Sequence, residues 1–159
     1  MSSIDEQFVM VDGSPALRKL AQDTGYRLAL CPRIQILTIP DQYPDLSHLQ
    51  QDYADASAPD RRRYQAEDRA RLAAFGTTWR MIGIRAVATV YIPQGPDAFQ
   101  RLVIPSMGCF GVESDSGPAY LRQVGGEELA NLRGVLALLH VHEPVDQIVE
   151  WDAVFQQAV

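Results

Sequence analysis

The fold of this chain is decided by the segment Trp79-Arg80-Met81-Ile82-Gly83-Ile84-Arg85-Ala86-Val87-Ala88-Thr89-Val90-Tyr91-Ile92. Its apolar residues recur at every second position, so that one side of an extended chain would carry Ile82, Ile84, Ala86, Ala88, Val90 and Ile92. A period of two is typical of a half-buried β-strand. A Pro- and Gly-rich turn signal follows, and then an apolar return segment. The sequence therefore predicts a central β-hairpin over about residues 79–92 and 98–105.

The part of the chain before the hairpin alternates between helix and strand patterns. A helix is predicted over residues 14–25, and a second helix, capped by Asp60, is predicted over residues 60–75. Between them the period-two pattern of residues 26–38 predicts a strand. Pro32 lies inside that strand and indicates either an edge position or a bulge, because proline cannot donate to the hydrogen-bond ladder.

Three further helices are predicted after the hairpin. The first begins at Pro118 and ends at about Val124, where Gly125-Gly126 interrupts the pattern. A new helix starts after the glycines, and a last helix covers about residues 145–157.

Together these elements predict one α+β domain. A chain of 159 residues, 47% hydrophobic and 21% charged, is long enough for a sizeable core and has the composition of a globular protein. We expect a single domain over residues 1–159, built on a mainly antiparallel sheet that helices cover. Few strand–helix–strand crossovers are available, which argues against a doubly wound fold.

The charge balance excludes some classes of partner. Fourteen basic residues stand against twenty acidic ones, a formal net charge of −6. This balance argues against direct nucleic-acid binding, which needs cations to neutralise phosphates, and against a polybasic membrane contact. The chain shows no signal-peptide pattern and no apolar stretch of membrane-spanning length. Cys31 and Cys109 lack Cys-x-x-Cys spacing, so we expect reduced thiols and a cytoplasmic location.

A set of spaced motifs runs through residues 60–139. It consists of Arg71-Leu72-Ala73-Ala74-Phe75-Gly76, Trp79, Gly83-Ile84-Arg85-Ala86, Gly111-Val112-Glu113-Ser114-Asp115-Ser116, Tyr120-Leu121 and Glu128-Leu129. This set resembles a family of uncharacterised bacterial proteins that are found widely in phages and other mobile elements. Family members tend to carry Trp-Gly-Ile-Glu-Ser-Asp-Ser, where this chain has Phe110 and Val112 in place of the tryptophan and the isoleucine. The resemblance implies a mobile-element accessory protein and no particular chemistry.

The junction after the hairpin, residues 108–116, collects side chains that active sites use. Glu113 and Asp115 are two residues apart, so an extended segment would place both carboxylates on one side, where they could bind a metal or act as acid and base. The alternative, which we favour, is that Ser114, Asp115 and Ser116 cap the helix that follows.

Two other candidate sites lack a partner motif. Cys109 could be a nucleophile, but no motif supplies a base for it, and a small buried hydrophobic role is expected. His140, His142 and Glu143 could hold a metal ion, yet zinc sites need three or four ligands and no second motif has a matching spacing. We therefore predict neither a metal nor another cofactor.

Residues 40–60 form a long acidic segment. It contains no lysine or arginine from residue 41 onward, and its residues of interest are Asp41, Tyr43, Asp45, Asp52, Tyr53 and Asp55. We interpret it as a long loop with at most one or two helical turns, a kind of segment that is often functional. Spaced carboxylates can imitate the field of a nucleic acid and so occupy another protein's binding channel. The segment is predicted to contact a partner protein; the alternative is ordinary solubilising charge.

Three functions remain open from the sequence. The first is a non-enzymatic acidic interaction protein, a mobile-element accessory or anti-defence factor of the anti-CRISPR kind, that binds a host or mobile-element protein. The second is a small hydrolase-like or metal-binding enzyme with its site at residues 108–116. The third is a homodimeric structural module. We favour the first because no catalytic motif is present and the charge balance is acidic.

Overall fold

The computed structural model describes residues 8–9, 15–96 and 98–155. In this part of the chain, three α-helices and one six-stranded sheet make an α+β fold, as predicted. In chain order the elements are β1 (Phe8–Val9), α1 (Pro15–Asp23), β2 (Leu30–Pro40), α2 (Ala58–Ala73), β3 (Met81–Pro93), β4 (Phe99–Pro105), β5 (Cys109–Glu113), α3 (Pro118–Leu138) and β6 (Ile148–Trp151). None of the described helices is both long and apolar enough to cross a membrane.

The sheet is built around β3. Its strand order is β1-β4-β3-β2-β6, and β5 pairs with the first part of β3. The predicted hairpin is confirmed, since β3 and β4 pair antiparallel from Val87 opposite Pro105 to Pro93 opposite Phe99. All strand pairs are antiparallel except β2 with β6. On one side, therefore, β3 is bordered first by β5 and then by β4, with residues 106–108 crossing between them.

The main core lies between the sheet and α3. The alternation predicted for β3 is confirmed, because Ile82, Ile84, Ala86, Ala88 and Val90 are all buried. They pack with Ile34 and Ile36 of β2 and with Leu121, Val124, Leu132 and Leu136 of α3. Burying side chains of this size contributes roughly 1.5–3 kcal/mol each before entropic costs. We call this covered side of the sheet the inner face.

The strand predicted over residues 26–38 begins later than expected. Gly25 and Tyr26 have positive φ angles of 66° and 58°, so the chain turns there and β2 starts at Leu30. Pro32 marks a bulge, because the register with β3 shifts between Leu30 and Arg33. The edge alternative is wrong, since β2 has neighbours on both sides.

The N-cap of the second helix lies three residues earlier than predicted, so the helix begins at Ala58. Ser57 is the N-cap of α2, and its Oγ accepts a hydrogen bond from the backbone N–H of Asp60 at 3.3 Å. Asp60 instead lies in the first turn, where its carboxylate accepts from the Ser57 hydroxyl at 2.6 Å. No residue of α2 is buried.

The predicted break at Gly125-Gly126 is wrong, because α3 runs unbroken through both glycines. Gly125 is buried, and a Cβ atom on it would lie 2.6 Å from the Trp151 ring and 3.1 Å from Ile36. The glycine therefore lets the helix approach the sheet, and the packing gained offsets its poor helix propensity.

The helix predicted over residues 145–157 is also wrong. Residues 148–151 form β6, a strand parallel to β2 in which Val149 and Trp151 face the main core. β-branched and aromatic residues favour such a half-buried strand. A single 3₁₀ turn, Ala153–Phe155, follows, and Phe155 is buried with its ring against that of Trp151.

Candidate functional site

The junction carboxylates are held by one arginine from α2. The two terminal nitrogens of Arg71 donate to both carboxylate oxygens of Asp115, at 2.6 and 2.7 Å. One of these nitrogens also donates to Glu113 at 2.8 Å. The two-pronged contact uses the planar geometry of the guanidinium group. Arg71 therefore ties α2 to the turn that follows β5.

The side chain of Arg71 stacks on the ring of Trp79. The guanidinium carbon of Arg71 lies 3.8 Å from the centre of the Trp79 ring, a cation–π distance. The indole N–H of Trp79 donates to the backbone carbonyl of Arg71 at 2.8 Å. Phe75 meets the same ring edge-on at 5.2 Å. Because Trp79 is buried, it fixes the end of α2 against the start of β3.

The electrostatics of this cluster favour permanent charges. Arg71 lowers the pKa of Asp115 by hydrogen bonding to its ionised form, and Asp115 in turn raises the pKa of Arg71. The second oxygen of Glu113 lies 3.3 Å from Nε2 of His48. Asp115, whose pKa is lowered by the guanidinium group, suits a structural counter-ion, whereas a general acid needs a raised pKa.

The serines of the junction do not cap α3, which corrects the prediction made for Ser114, Asp115 and Ser116. The helix N-cap is Gly117, without a side-chain hydrogen bond. Ser114 is instead tied to Arg80: its Oγ accepts from the Arg80 N–H at 3.0 Å, and its N–H donates to the Arg80 carbonyl at 2.8 Å. The N–H of Ser116 closes a turn onto the carbonyl of Glu113. The hydrogen bonds of Ser114 are therefore made to the residue that precedes β3 and not to the amides of α3.

Sequence reasoning missed a buried carboxylate behind the junction. Glu128 of α3 is buried and accepts hydrogen bonds from the Ser106 hydroxyl and from the N–H of Gly108, the latter at 3.0 Å. The hydroxyl of Ser106 also accepts from the N–H of Ala86 at 3.1 Å. Burial, with Glu128 adding to it, raises the pKa of the Cys109 thiol, so the nucleophilic thiolate form is disfavoured. The sequence feature that could have indicated the buried Glu128 is Ser106, a serine that directly follows the return strand of the hairpin.

The acidic segment is an ordered loop that packs along α2; we call residues 41–73, the loop and the helix together, the arm. Arg61 of α2 donates to the backbone carbonyls of Tyr53 at 3.2 Å and Ala54 at 2.9 Å. The Tyr53 hydroxyl donates to Asp68 at 2.5 Å, and this bond raises the pKa of Tyr53. The 3₁₀ turn Ser47–Leu49 agrees with the predicted limit of one or two helical turns.

Three aspartates of the segment hold its backbone. Asp41, Asp45 and Asp52 each accept a hydrogen bond from the N–H two residues later, at 3.0, 2.9 and 3.1 Å. Such Asx turns stabilise tight loop backbone. Hydrogen bonds from the side chain and from the backbone N–H of Ser47 lower the pKa of Asp45. Asp45, Asp52 and Asp55 remain exposed, and Tyr43 is 90% exposed.

The structure brings the acidic segment and the junction together. Asp41 accepts from the N–H of Gly111 at 3.2 Å, and His48 contacts Glu113. With Arg71 these contacts make one continuous surface from the loop to β5. Neither Asp55 nor Tyr43 takes part in them.

The C-terminal histidines are not brought to this surface. His140 lies in the turn after α3 with a φ angle of 56°, and the N–H of His142 donates to the Ala29 carbonyl at 2.7 Å. Glu143 accepts from Arg133 at 3.2 Å. Across residues 8–9, 15–96 and 98–155, no group of three or more His, Cys, Asp or Glu side chains is placed to hold a metal ion.

No protein-family model, no curated protein and no solved structure matches this chain. Several residues of the spaced motifs between residues 60 and 139 have a common structural role. Arg71, Trp79, Glu113 and Asp115 form one cluster, and Ser114 joins the same turn to residue 80. Their spacing in the sequence thus reflects the joint between the arm and the sheet.

Proposed function

We propose that this chain is a non-enzymatic binding protein that acts by contacting another protein through its acidic arm. With the resemblance to phage-associated proteins, the proposed setting is a mobile element, and the proposed role is that of an accessory or anti-defence factor acting on a host protein. The observation that carries this proposal is the arrangement of the loop, whose backbone is fixed from within while its carboxylates face outward.

A fixed loop matters because a flexible segment loses conformational entropy when it binds, and this loss weakens its affinity. The three bonds from Arg61 and the Asx turns at Asp45 and Asp52 hold the loop before any partner arrives. A preorganised charged surface keeps more of its interaction energy and steers association electrostatically. Asp55 and Tyr43 then offer a carboxylate and an aromatic ring, side chains that suit a protein contact.

The helix of the arm supports the same interpretation. A helix is normally stabilised by burying one apolar stripe against the core, yet no residue of α2 is buried. It is attached near its end through Arg71 and Trp79 and stands along the loop that it holds. We infer that α2 serves as a strut for the acidic loop.

The enzyme alternative rests on Glu113 and Asp115, both of which contact Arg71. If it were correct, Glu113→Gln would abolish biological activity while leaving the fold and partner capture intact. Under our proposal this variant keeps its biological activity.

The proposal is tested by neutralising the exposed carboxylates of the loop. The variant is Asp45→Asn, Asp52→Asn and Asp55→Asn, because asparagine keeps the acceptor oxygen of the Asx turns and removes the charge. Affinity capture from the native host should then retain at least about tenfold less of the partner, as expected when several rim charges are lost.

A matched control removes the same charge elsewhere. Asp23→Asn, Glu127→Gln and Asp146→Asn alter three exposed carboxylates outside the arm. Capture by this control should equal that of the unaltered chain. Equal losses in both variants would mean that only net charge matters, and full retention by the loop variant would exclude the arm as the contact.

A further inference from the structure

The face of the sheet turned away from α3, the outer face, is only partly covered. At one end α1 packs on it through Leu17 and Ala21, which meet Leu30 and Phe99. Beyond α1, the strand registers place a set of side chains on this face. They are Ile148 and Glu150 of β6, Arg33, Gln35, Leu37 and Ile39 of β2, Gly83, Arg85, Val87 and Thr89 of β3, and Arg101, Val103 and Pro105 of β4.

The composition of the outer face differs from that of an ordinary solvated sheet. Along a strand with one solvated face, polar residues alternate with apolar ones, so the solvated face is mostly polar and is rich in lysine and glutamate. Here the set holds three arginines, one carboxylate and no lysine, and nearly half of it is apolar. Val103 and Ile148 are 54% and 57% exposed at opposite ends of one row of paired residues. Exposed apolar side chains that stand beside arginines and few carboxylates are typical of a protein interface.

Within the described part of the chain, two positive charges on this face form no ion pair with a carboxylate. Arg33 is paired with Glu150, and that bond lowers the pKa of Glu150. Arg85 donates to the backbone carbonyl of Met107 at 3.1 Å, which leaves its charge uncompensated. Among the described residues no carboxylate forms an ion pair with either Arg85 or Arg101.

An apolar rim surrounds Arg85. Its guanidinium carbon lies 5.7 Å from the centre of the Phe110 ring. The ring sits over Gly83, where a Cβ atom would come within 2.6 Å of it. Phe110 and Met107 are 47% and 93% exposed. Arginine beside aromatic and methionine side chains is the kind of cluster that dominates binding energy at interfaces.

The other end of the outer face is electrostatically mixed. A groove of about 630 Å³ lies between α1 and the sheet, and Arg101 borders it. Lys19, Asp23 and Asp146 line the same groove, so both signs of charge are present there. Arg85 therefore stands among apolar side chains, whereas Arg101, three rows further along the sheet, stands among charges of both signs.

We propose that the outer face is a second docking surface, which takes a protein segment that presents carboxylates between apolar residues. The carboxylates would pair with Arg85 and Arg101, and the apolar residues would cover Val87, Val103 and Phe110. A second copy of this chain is a poor occupant, because stacking two such faces sets uncompensated arginines against each other. The surface is opposite in sign to the arm and stands independently of the function proposed for the arm.

The test is a selection from a library of random linear peptides displayed on yeast, with the full chain as bait. Enriched peptides should combine Asp or Glu with apolar residues. They should bind Arg85→Gln/Arg101→Gln on the order of tenfold more weakly, as for loss of interfacial charge pairs. The matched control is Arg62→Gln/Arg69→Gln, which removes two exposed arginines from α2 and should leave binding unchanged.

A second variant keeps the test decisive if the double variant folds poorly. Val103→Asp places a carboxylate at an exposed position of the outer face and should abolish binding of the selected peptides while the melting temperature stays near that of the unaltered chain. Three outcomes would overturn the proposal: no peptide is enriched, the enriched peptides lack carboxylates, or they bind all variants equally. Sedimentation that shows a dimer dissociated by Val103→Asp would assign the face to a second copy instead.

Discussion

At the scale of single residues, Arg71 joins three separate parts of the chain. It reaches Asp115 and Glu113 with its side chain, lies on Trp79, and accepts the Trp79 indole N–H at its own carbonyl. Lysine could supply the charge but not the fork or the flat stacking surface. The cluster thus gives a structural reason for the arginine and the two carboxylates at these positions.

Replacing Arg71 should therefore destabilise the protein. We expect Arg71→Ala to lower the free energy of unfolding by about 1–3 kcal/mol, because it removes charge-assisted bonds and a cation–π contact. Urea unfolding measures the effect. Arg62→Ala, at an exposed position of the same helix, should change it by no more than about 0.5 kcal/mol. Equal effects of the two variants would mean that the Arg71 cluster contributes nothing.

Asp115 should give the cluster a pH dependence. Its folded pKa is depressed below the ordinary 3.8 by Arg71. A carboxyl group with a depressed pKa stabilises the fold at pH values above its pKa in the unfolded chain. This contribution is lost as the pH falls through its pKa in the folded protein. The difference in unfolding free energy between the unaltered chain and Asp115→Asn should be constant near neutral pH and shrink below about pH 4. A difference that grows on acidification would reverse the sign and contradict this account.

At the scale of elements, the sequence predicts well where one local pattern decides the structure. The alternation in β3 and the turn after it are sufficient for the central hairpin. It predicts poorly where a distant contact decides. The sequence predicts a helix break at Gly125 because the Trp151 ring that requires a glycine there lies on another element. It predicts a helix in place of β6 because β2, the strand that pairs with β6, is far away in the sequence.

The two adjacent glycines of α3 provide an internal test of that explanation. Gly125→Ala should destabilise the protein by about 1–3 kcal/mol through overpacking against Trp151. Gly126→Ala meets no atom within 4 Å and should stabilise it by about 0.5–1 kcal/mol through helix propensity. Thermal unfolding of both variants measures the contrast. The same sign for both would show that Gly125 has no packing role.

The helices α2 and α3 should differ in local stability. α3 buries Leu132 and Leu136 in the main core, whereas α2 buries nothing. Elements with few buried contacts open at lower free energy than the core. Hydrogen exchange followed by mass spectrometry should show the amides of α2 exchanging well before those of the second half of α3. Equal protection would imply that the arm is as firmly packed as the core.

At the scale of the whole molecule, the acidic loop and the arginines of the outer face belong to different elements, while the helix of the arm carries arginines of its own. The exposed carboxylates of the loop occupy one surface, and the uncompensated Arg85 and Arg101 occupy another. Residue order alone indicated the first, because the loop is acidic without interruption. It could not indicate the second, since those arginines belong to different strands and share a face only through pairing register.

The parallel pairing of β6 with β2 bears on how the protein is made. Gln35 and Glu150, neighbours in that ladder, are 115 residues apart in the chain. During synthesis the ribosome must deliver residues 148–151 before β2 gains its second neighbour and Trp151 reaches Gly125. Contacts of such long range slow folding. A nascent chain that stalls before residue 148 would therefore contain the completed hairpin of β3 and β4, while one edge of β2 would lack its neighbouring strand. Chaperones would meet the chain in this state.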